Sequence, residues 1–475
     1  MNKNRLFLLI MLGVLVSALL NPCTGQVTWT NHTVTSSEGG LGTNDVYAVI
    51  LEPNTDGNVI WAGGRPNDNN GWVGGLSRYN VTTGEWTSFN SQNSALPHDF
   101  ITDLEFDSQA NLWIGTRGGG LARLKPPYGE NDWTAWGDGS DIGYTRIYDI
   151  VVDSEDNIWM GHGPPIPDGN SPKAMSVFDG NSTWQTFGTP TLDENAVYTM
   201  VFDGEGKMWC ATKRSGIYIF EDGGTPFDTG DDNWTHIPPA DGISAFPFNS
   251  AAGTFVNGQL WFGHDMGGGA DVWDGNNWTN HHFDRWFRAV THDWRGYVWC
   301  GEKRGHVDAW GLFIYDGSNW ENIQEFDGLP WNVINMIRID NPRGNVWFGH
   351  GNPSYDEGGL TLLQGKVPPQ PPSPVEQDES LVVREFRLIQ NNPNPFNPET
   401  AIGYQLPAVS EVKLNIFNIR GQKVRSLVSE KQPAGTYSVI WDGRDDSGNP
   451  MDSGLYFYRL TAGNRMQMKK MTLLK

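Results

Sequence analysis

The chain has 475 residues, with 58 Gly, 22 Trp and only 19% charged residues. So much Gly and Trp with so little charge excludes a coiled coil or a disordered chain and suits short strands joined by tight turns. A formal net charge of −22 excludes a nucleic-acid partner, whose phosphates would be repelled, and three Cys exclude a disulfide scaffold or a multi-Cys zinc site.

At the N-terminus, Lys3 and Arg5 precede an apolar run of fifteen residues, 6–20. Small residues follow, ending in Thr24 and Gly25. A basic start, a short apolar core and a small-residue end predict an export signal over residues 1–25, cut after Gly25. The alternative is acylation at Cys23, beside which Pro22 is a poor fit. The run is short for a bilayer span. The expectation is an exported protein with no transmembrane helix once the signal is gone. Cys210 and Cys300 each follow a Trp inside a strand pattern and are expected as small buried hydrophobes.

The middle of the chain repeats one unit. An aliphatic-Trp-x-small segment recurs seven times, with its Trp at Trp61, Trp113, Trp159, Trp209, Trp261, Trp299 and Trp347. Before most copies lies an alternating strand ending in an acid, as in 101–107, 147–153 and 334–340. After each comes a Gly-rich stretch and a third strand. A fourth strand starts at Trp86, Trp133, Trp184, Trp234, Trp278 or Trp320, three of them after an Asp-Gly turn. Four short strands in about 48 residues make one propeller blade. The seventh unit lacks its fourth strand near Leu363, and residues 27–34 supply the matching sequence. The expected fold is all-β: a seven-bladed β-propeller over 26–365, closed by strand 27–34.

Asn111-Leu112-Trp113-Ile114-Gly115-Thr116 with Gly119-Gly120-Leu121 carries one further signal. So do Gly328-Leu329-Pro330 and Asn345-Val346-Trp347-Phe348-Gly349 in the last unit. These segments resemble the two-component regulator propeller repeat. The resemblance implies the extracytoplasmic sensing fold of that family, although no kinase follows here.

Residues 366–380 form a Pro-rich linker, with five Pro between Lys366 and Asp378. Charge changes across it. Residues 26–380 hold 18 Lys+Arg and 47 Asp+Glu, a net of −29; residues 381–475 hold 13 and 8, a net of +5. Strands at 400–406, 411–418, 435–441, 454–462 and 466–474 predict a small C-terminal β-sandwich over 381–475. The segments Asn392-Pro393-Asn394-Pro395-Phe396-Asn397-Pro398, Trp441-Asp442-Gly443 and Ser453-Gly454-Leu455-Tyr456 open and punctuate it. With the end Lys470 to Lys475, they resemble the type A sorting domain of the type IX secretion system. They are also similar to the immunoglobulin-like domain of flagellar-hook capping proteins. The resemblance implies type IX secretion machinery as a partner. It also implies a secreted or outer-membrane surface location in a Gram-negative-type bacterium.

Catalytic signatures are absent from the sequence: there is no P-loop, no Gly-x-Ser-x-Gly and no His-Glu-x-x-His. No cofactor is implied. His162, His264 and His350 follow the second-strand Gly in units three, five and seven, and Glu302 takes that place in unit six. They are read either as groups on one rim or as residues hydrogen-bonded within a repeat-specific turn. Arg65, Arg117, Lys213, Arg214, Lys303 and Arg304 follow the same motif, and Arg146, Arg285 and Arg288 lie near the start of first strands, which by strand direction open on the same face. A basic rim on an acidic body suits an anionic ligand, a carboxylated or sulfated glycan. Trp72, Trp310 and Trp331, in loops, suit stacking on sugars. The main reading is a binding protein. The alternative is a secreted propeller lyase or hydrolase using His162, His264 and Glu302. A purely structural surface protein is the third.

Overall fold

A computed structural model describes residues 27–474 except 138–141, 143, 164–172, 189–195, 214, 224, 239–251, 265–266, 283, 304–309, 325–326, 353–356, 371–385, 390, 392–393, 395, 407–409, 433–434, 447 and 463–464. The expected signal, Arg214, Arg304 and most of the linker lie outside the described residues. The chain divides into two compact units, one within residues 1–374 and one with its core in 375–475.

The first unit holds seven sheets of four antiparallel strands. One runs Ile101–Phe106, Leu112–Thr116, Leu121–Leu124 and Trp133–Trp136. Each innermost strand packs on that of the next sheet, and Ile334–Asp340 packs on Val46–Leu51, which closes the ring. The unit is therefore a seven-bladed β-propeller, as the repeat predicts.

The second-strand Trp residues hold the blades together. All seven are buried, between 0% and 5% exposed. Six reach an aromatic ring of the next blade: Trp61 meets Tyr128, Trp113 meets Phe178, Trp159 meets Phe220, Trp209 meets Trp273, Trp261 meets Tyr315 and Trp347 meets Tyr79. Trp299 packs in a cluster with Leu363 of blade seven. A buried indole needs an acceptor for its N–H. The acid ending the first strand supplies it in five blades, through Glu52, Asp107, Asp153, Asp203 and Asp293, at 2.8 to 3.1 Å. Blade five has Asn257-Gly258 at that turn, and in blade seven Asp340 turns to Arg343. Trp261 and Trp347 accordingly leave Nε1 without a partner.

The outermost strand of the seventh blade comes from the other end of the unit. Thr28–His32 pairs with Glu357–Gln364, with Trp29 opposite Leu363 and His32 opposite Leu360. Thr361 Oγ1 donates to Asn31 Oδ1 at 2.9 Å. His32 also packs on Tyr79 and Trp86 of blade one, with ring centroids 4.7 and 5.6 Å away. This strand covers the backbone edge of 357–364 and touches blades seven and one together.

The second unit stacks a sheet of Arg387–Leu388, Thr400–Leu406 and Gly435–Trp441 on one of Lys423–Gln432, Ser410–Asn418, Gly454–Ala462 and Arg465–Leu473. Trp441, Tyr404, Tyr458, Leu414 and Ile416 fill its core. Lys423–Gln432 was not expected as a strand. It lies at a sheet edge and buries little, so its sequence lacks a clear alternation. The opening Asn-Pro segment pins the last strand. Asn394 Oδ1 accepts from the Thr472 N–H at 2.9 Å, and buried Phe396 pairs its backbone with Thr472 and Leu474.

Asp153 accepts from Trp159 Nε1, from the Glu155 and Asn157 backbone and from Asn157 Nδ2. Asp153→Ala should lower the unfolding free energy by about 1–3 kcal/mol in urea titrations. No loss would show that the acid–indole contact does not support the blade. A chain starting at residue 41 should melt well below one starting at residue 26. Equal melting temperatures would contradict the closing role of Thr28–His32.

Candidate functional site

One hydrogen bond recurs at the end of the second strand in five of the seven blades. The residue just past that strand donates its N–H to the carbonyl just before the first strand of the same blade. Arg65 donates to Asp45, Arg117 to Phe100, Gly163 to Arg146, Lys213 to Ala196 and Lys303 to Trp286, at 2.9 to 3.3 Å. Arg65, Arg117, Lys213 and Lys303 therefore occupy equivalent points on one face of the ring, in blades one, two, four and six. All four are half-buried. Arg65 Nε lies 2.8 Å from Asp45 Oδ2, a contact of charges without hydrogen-bond alignment. Arg117 instead stacks over Phe100 at 5.1 Å and Tyr148 at 5.6 Å.

The imidazoles and Glu302 lie behind this face. His162, His264, His350 and Glu302 are all 0% exposed. Ser176 Oγ donates to the Ile142 carbonyl and leaves its lone pairs to His162 Nε2, 2.6 Å away. His350 Nδ1 donates to the Val333 carbonyl at 3.0 Å. His264 Nε2 lies 2.8 Å from Asp271 Oδ2, and Asn280 Nδ2 donates to the other oxygen of that carboxylate. Glu302 Oε2 accepts from the Trp310 N–H, and Arg285 lies 3.7 Å from Oε1. His162 and His264 thus bond to the third strand of their own blades, and His350 and Glu302 to backbone groups before the first strand and before the third. Among the described residues no group of three or more His, Cys, Asp or Glu is arranged to hold a metal ion. Burial pushes His162 down to about 3 and His350 to about 4.

The loop Trp residues separate. Trp72 is 4% exposed and cannot stack on a sugar from solvent, which corrects that expectation. Trp331 is half-buried, its ring 5.6 Å from His350. Trp310 is 47% exposed and rests on the Arg285 guanidinium at 4.1 Å.

The channel mouth was not legible in the sequence. Six first strands shift register at the same place, between Val46 and Ala48, Ile101 and Asp103, Ile147 and Asp149, Val197 and Thr199, Phe287 and Ala289, and Ile334 and Met336. A bulge re-aims the extra side chain. The extra residues are Tyr47, Thr102, Tyr148, Tyr198, Arg288 and Asn335, and all six line a central cavity of about 240 Å³. They form a collar with Arg117. Arg288 stacks on Tyr47 at 4.1 Å, Tyr47 meets Phe100 at 5.1 Å, and Tyr148 meets Tyr198 edge-on at 4.6 Å. Arg288 donates to Asn335, which donates to Asp45 Oδ1 and to the Val46 carbonyl. Desolvation pushes the Asp45 carboxyl up, against the pull of Arg65 and Arg288. Strict alternation hides these residues. An aliphatic-x-small/polar start, as in Val46-Tyr47-Ala48, Ile101-Thr102-Asp103, Ile147-Tyr148-Asp149 and Val197-Tyr198-Thr199, is the signal that could have found four of them.

Residues 393–465, in the second unit, match the FlgD Ig-like domain. No curated protein matches the chain. Three solved structures share the fold. One is PorZ, a surface component of the type-IX secretion system of Porphyromonas gingivalis, at 18% identity and TM-score 0.52, covering 91% of this chain and 60% of that one. The others are extracellular domains assigned to hybrid two-component systems of B. thetaiotaomicron. BT3049 is 14% identical with TM-score 0.53, covering 94% of this chain and 58% of that one. BT4673 is 13% identical with TM-score 0.53, covering 95% and 60%. The chain thus spans 58–60% of the length of these structures. At such identities the likeness is one of fold.

The buried imidazoles set a pH response. The unfolded chain takes up protons near the ordinary value of 6.5, whereas folded His162 and His350 resist them to about 3 and 4. Their contribution to stability is therefore complete above that ordinary value and falls as pH drops through the window. The limiting slope is about 1.4 kcal/mol per pH unit for each group. His162→Gln should flatten the acid limb of stability against pH. An unchanged limb would show that His162 titrates normally in the fold.

Proposed function

We propose that this is an exported receptor. Its propeller binds an anionic ligand, a carboxylated or sulfated glycan, on the face that carries Arg65, Arg117, Lys213 and Lys303. Its C-terminal unit addresses it to type IX secretion. In this reading residues 1–25 are a removed signal, 26–365 the receptor, 366–380 a spacer and 381–475 the address. Its site is secreted or on the outer-membrane surface.

The observation that carries the reading is the repeated backbone bond, which sets four cations at equivalent points of one rim. Arg117 matters most among them, because its guanidinium is held by rings and keeps its N–H groups for a carboxylate or sulfate. The remaining charge of the propeller stretch, −29 in net, repels anions elsewhere and leaves this rim as the favourable approach. Trp331 extends the rim in this reading, and Arg214 and Arg304, which lie outside the described residues, follow the same motif in the sequence. His162, His264, His350 and Glu302 serve behind it, by holding the turns that carry the cations. The match to the FlgD Ig-like domain supports the address role. The surface role of PorZ in type-IX secretion, in a protein of the same fold, is consistent with it.

Calorimetry on the mature full-length protein tests the binding claim. Oligogalacturonate or a sulfated glycan should bind more tightly than a neutral glucan of equal length and weaken as salt rises. Arg117→Ala should cost roughly tenfold to a hundredfold in affinity. Preference for the neutral glucan, or unchanged affinity in Arg117→Ala, would overturn the reading.

A further inference from the structure

The cavity below the collar has its own chemistry. The innermost strands of all seven blades line it. Asp103 and Asp149 stand opposite Gly115 and Gly161, at the same depth in blades two and three. Glu105 and Arg338 stand one step further along, opposite Trp113 and Trp347. Arg338 belongs to blade seven, two sheets round the ring from Asp103.

Each Asp uses one carboxylate oxygen to join blades. Asp103 Oδ2 accepts from the Ile150 N–H and Asp149 Oδ2 from the Met200 N–H, both at 2.7 Å. Both side chains keep some surface open to the channel. Desolvation pushes both carboxyls up, and Asp103 and Glu105 add repulsion at Asp149. An arriving ammonium relieves that repulsion. Arg338 attracts Asp103 through space.

With all three carboxyls ionised, the state that an arriving ammonium favours, the charges of the lining balance. Asp103, Glu105 and Asp149 face Arg117, Arg288 and Arg338 round one cavity. A bare anion or a bare cation gains little from a field of zero net charge. A molecule that carries both signs gains at both ends. A volume of about 240 Å³ admits a molecule of amino-acid size and excludes an oligosaccharide. We infer that the central channel is a second binding site, for a small zwitterion whose ammonium sits at Asp103 and Asp149 and whose carboxylate sits at Arg338. This site lies below the rim and shares Arg117 with it, but its contacts at Asp103, Asp149 and Arg338 do not depend on the glycan reading.

The test is calorimetry on the mature full-length protein with the common L-amino acids. Each binder is then compared with its N-acetyl derivative, which lacks the ammonium, and its methyl ester, which lacks the carboxylate. At least one amino acid should bind at one per chain. Either derivative should lose about tenfold or more. Asp149→Asn keeps an acceptor for the Met200 N–H, so it should fold, and it should lose about tenfold or more. Arg338→Gln should lose a similar factor. Lys213→Ala, on the rim, should change nothing. Absence of binding by every amino acid would overturn the inference. So would equal binding of the derivatives, or unchanged affinity in both channel variants. Glycan binding that persists while every amino acid fails would leave the rim reading standing and sink this one alone.

Discussion

The propeller depends on one contact, the buried indole at the centre of each second strand. It wedges two blades apart by a fixed amount and passes its N–H back to the acid that ends the first strand. The ring contact is hydrophobic and large. The polar contact orients it. In blades five and seven the wedge remains while the acceptor is missing, so packing alone can seat the indole. The acid then adds register. It ties the turn between first and second strands to the same indole that spaces the blades, as Asp153 does through four separate donors.

Regular blades make a regular face. In five blades the residue past the second strand turns back through the same backbone bond, so Arg65, Arg117, Lys213 and Lys303 fall at equivalent points of one face. This is why the positions of these four residues could be read from the repeat. Seven Trp set the repeat, and the repeat set the position. The closing strand was legible for a similar reason, since Trp29 matches the Trp that starts other fourth strands. The exposure of a side chain was less legible than its position. His162, His264 and His350 stand where the motif puts them, yet their rings turn inward to Ser176, Asp271 and the Val333 carbonyl. Trp72 likewise sits in a loop and is buried.

The collar was hidden by a different cause. Sequence alternation assumes a strict period of two along a strand, and a bulge breaks that period by one residue. Tyr47, Thr102, Tyr148, Tyr198 and Asn335 then line the channel although a strict alternation does not single them out; Arg288 alone of the six was marked, by its charge. In the second unit, Lys423–Gln432 escaped for the opposite reason. An edge strand with one sheet neighbour buries too little to impose a pattern. What the repeat makes regular is readable. What one bulge or one edge decides is not.

In the receptor role proposed above, the ligand meets one face of the ring, where the cations of the repeat meet the collar. A crystal of the mature protein soaked with an oligogalacturonate tests this most directly. Bound sugar should appear over that face, with a carboxylate within hydrogen-bonding distance of Arg117. Ordered sugar on the opposite face or along the outer strands, with Arg117 untouched, would contradict it.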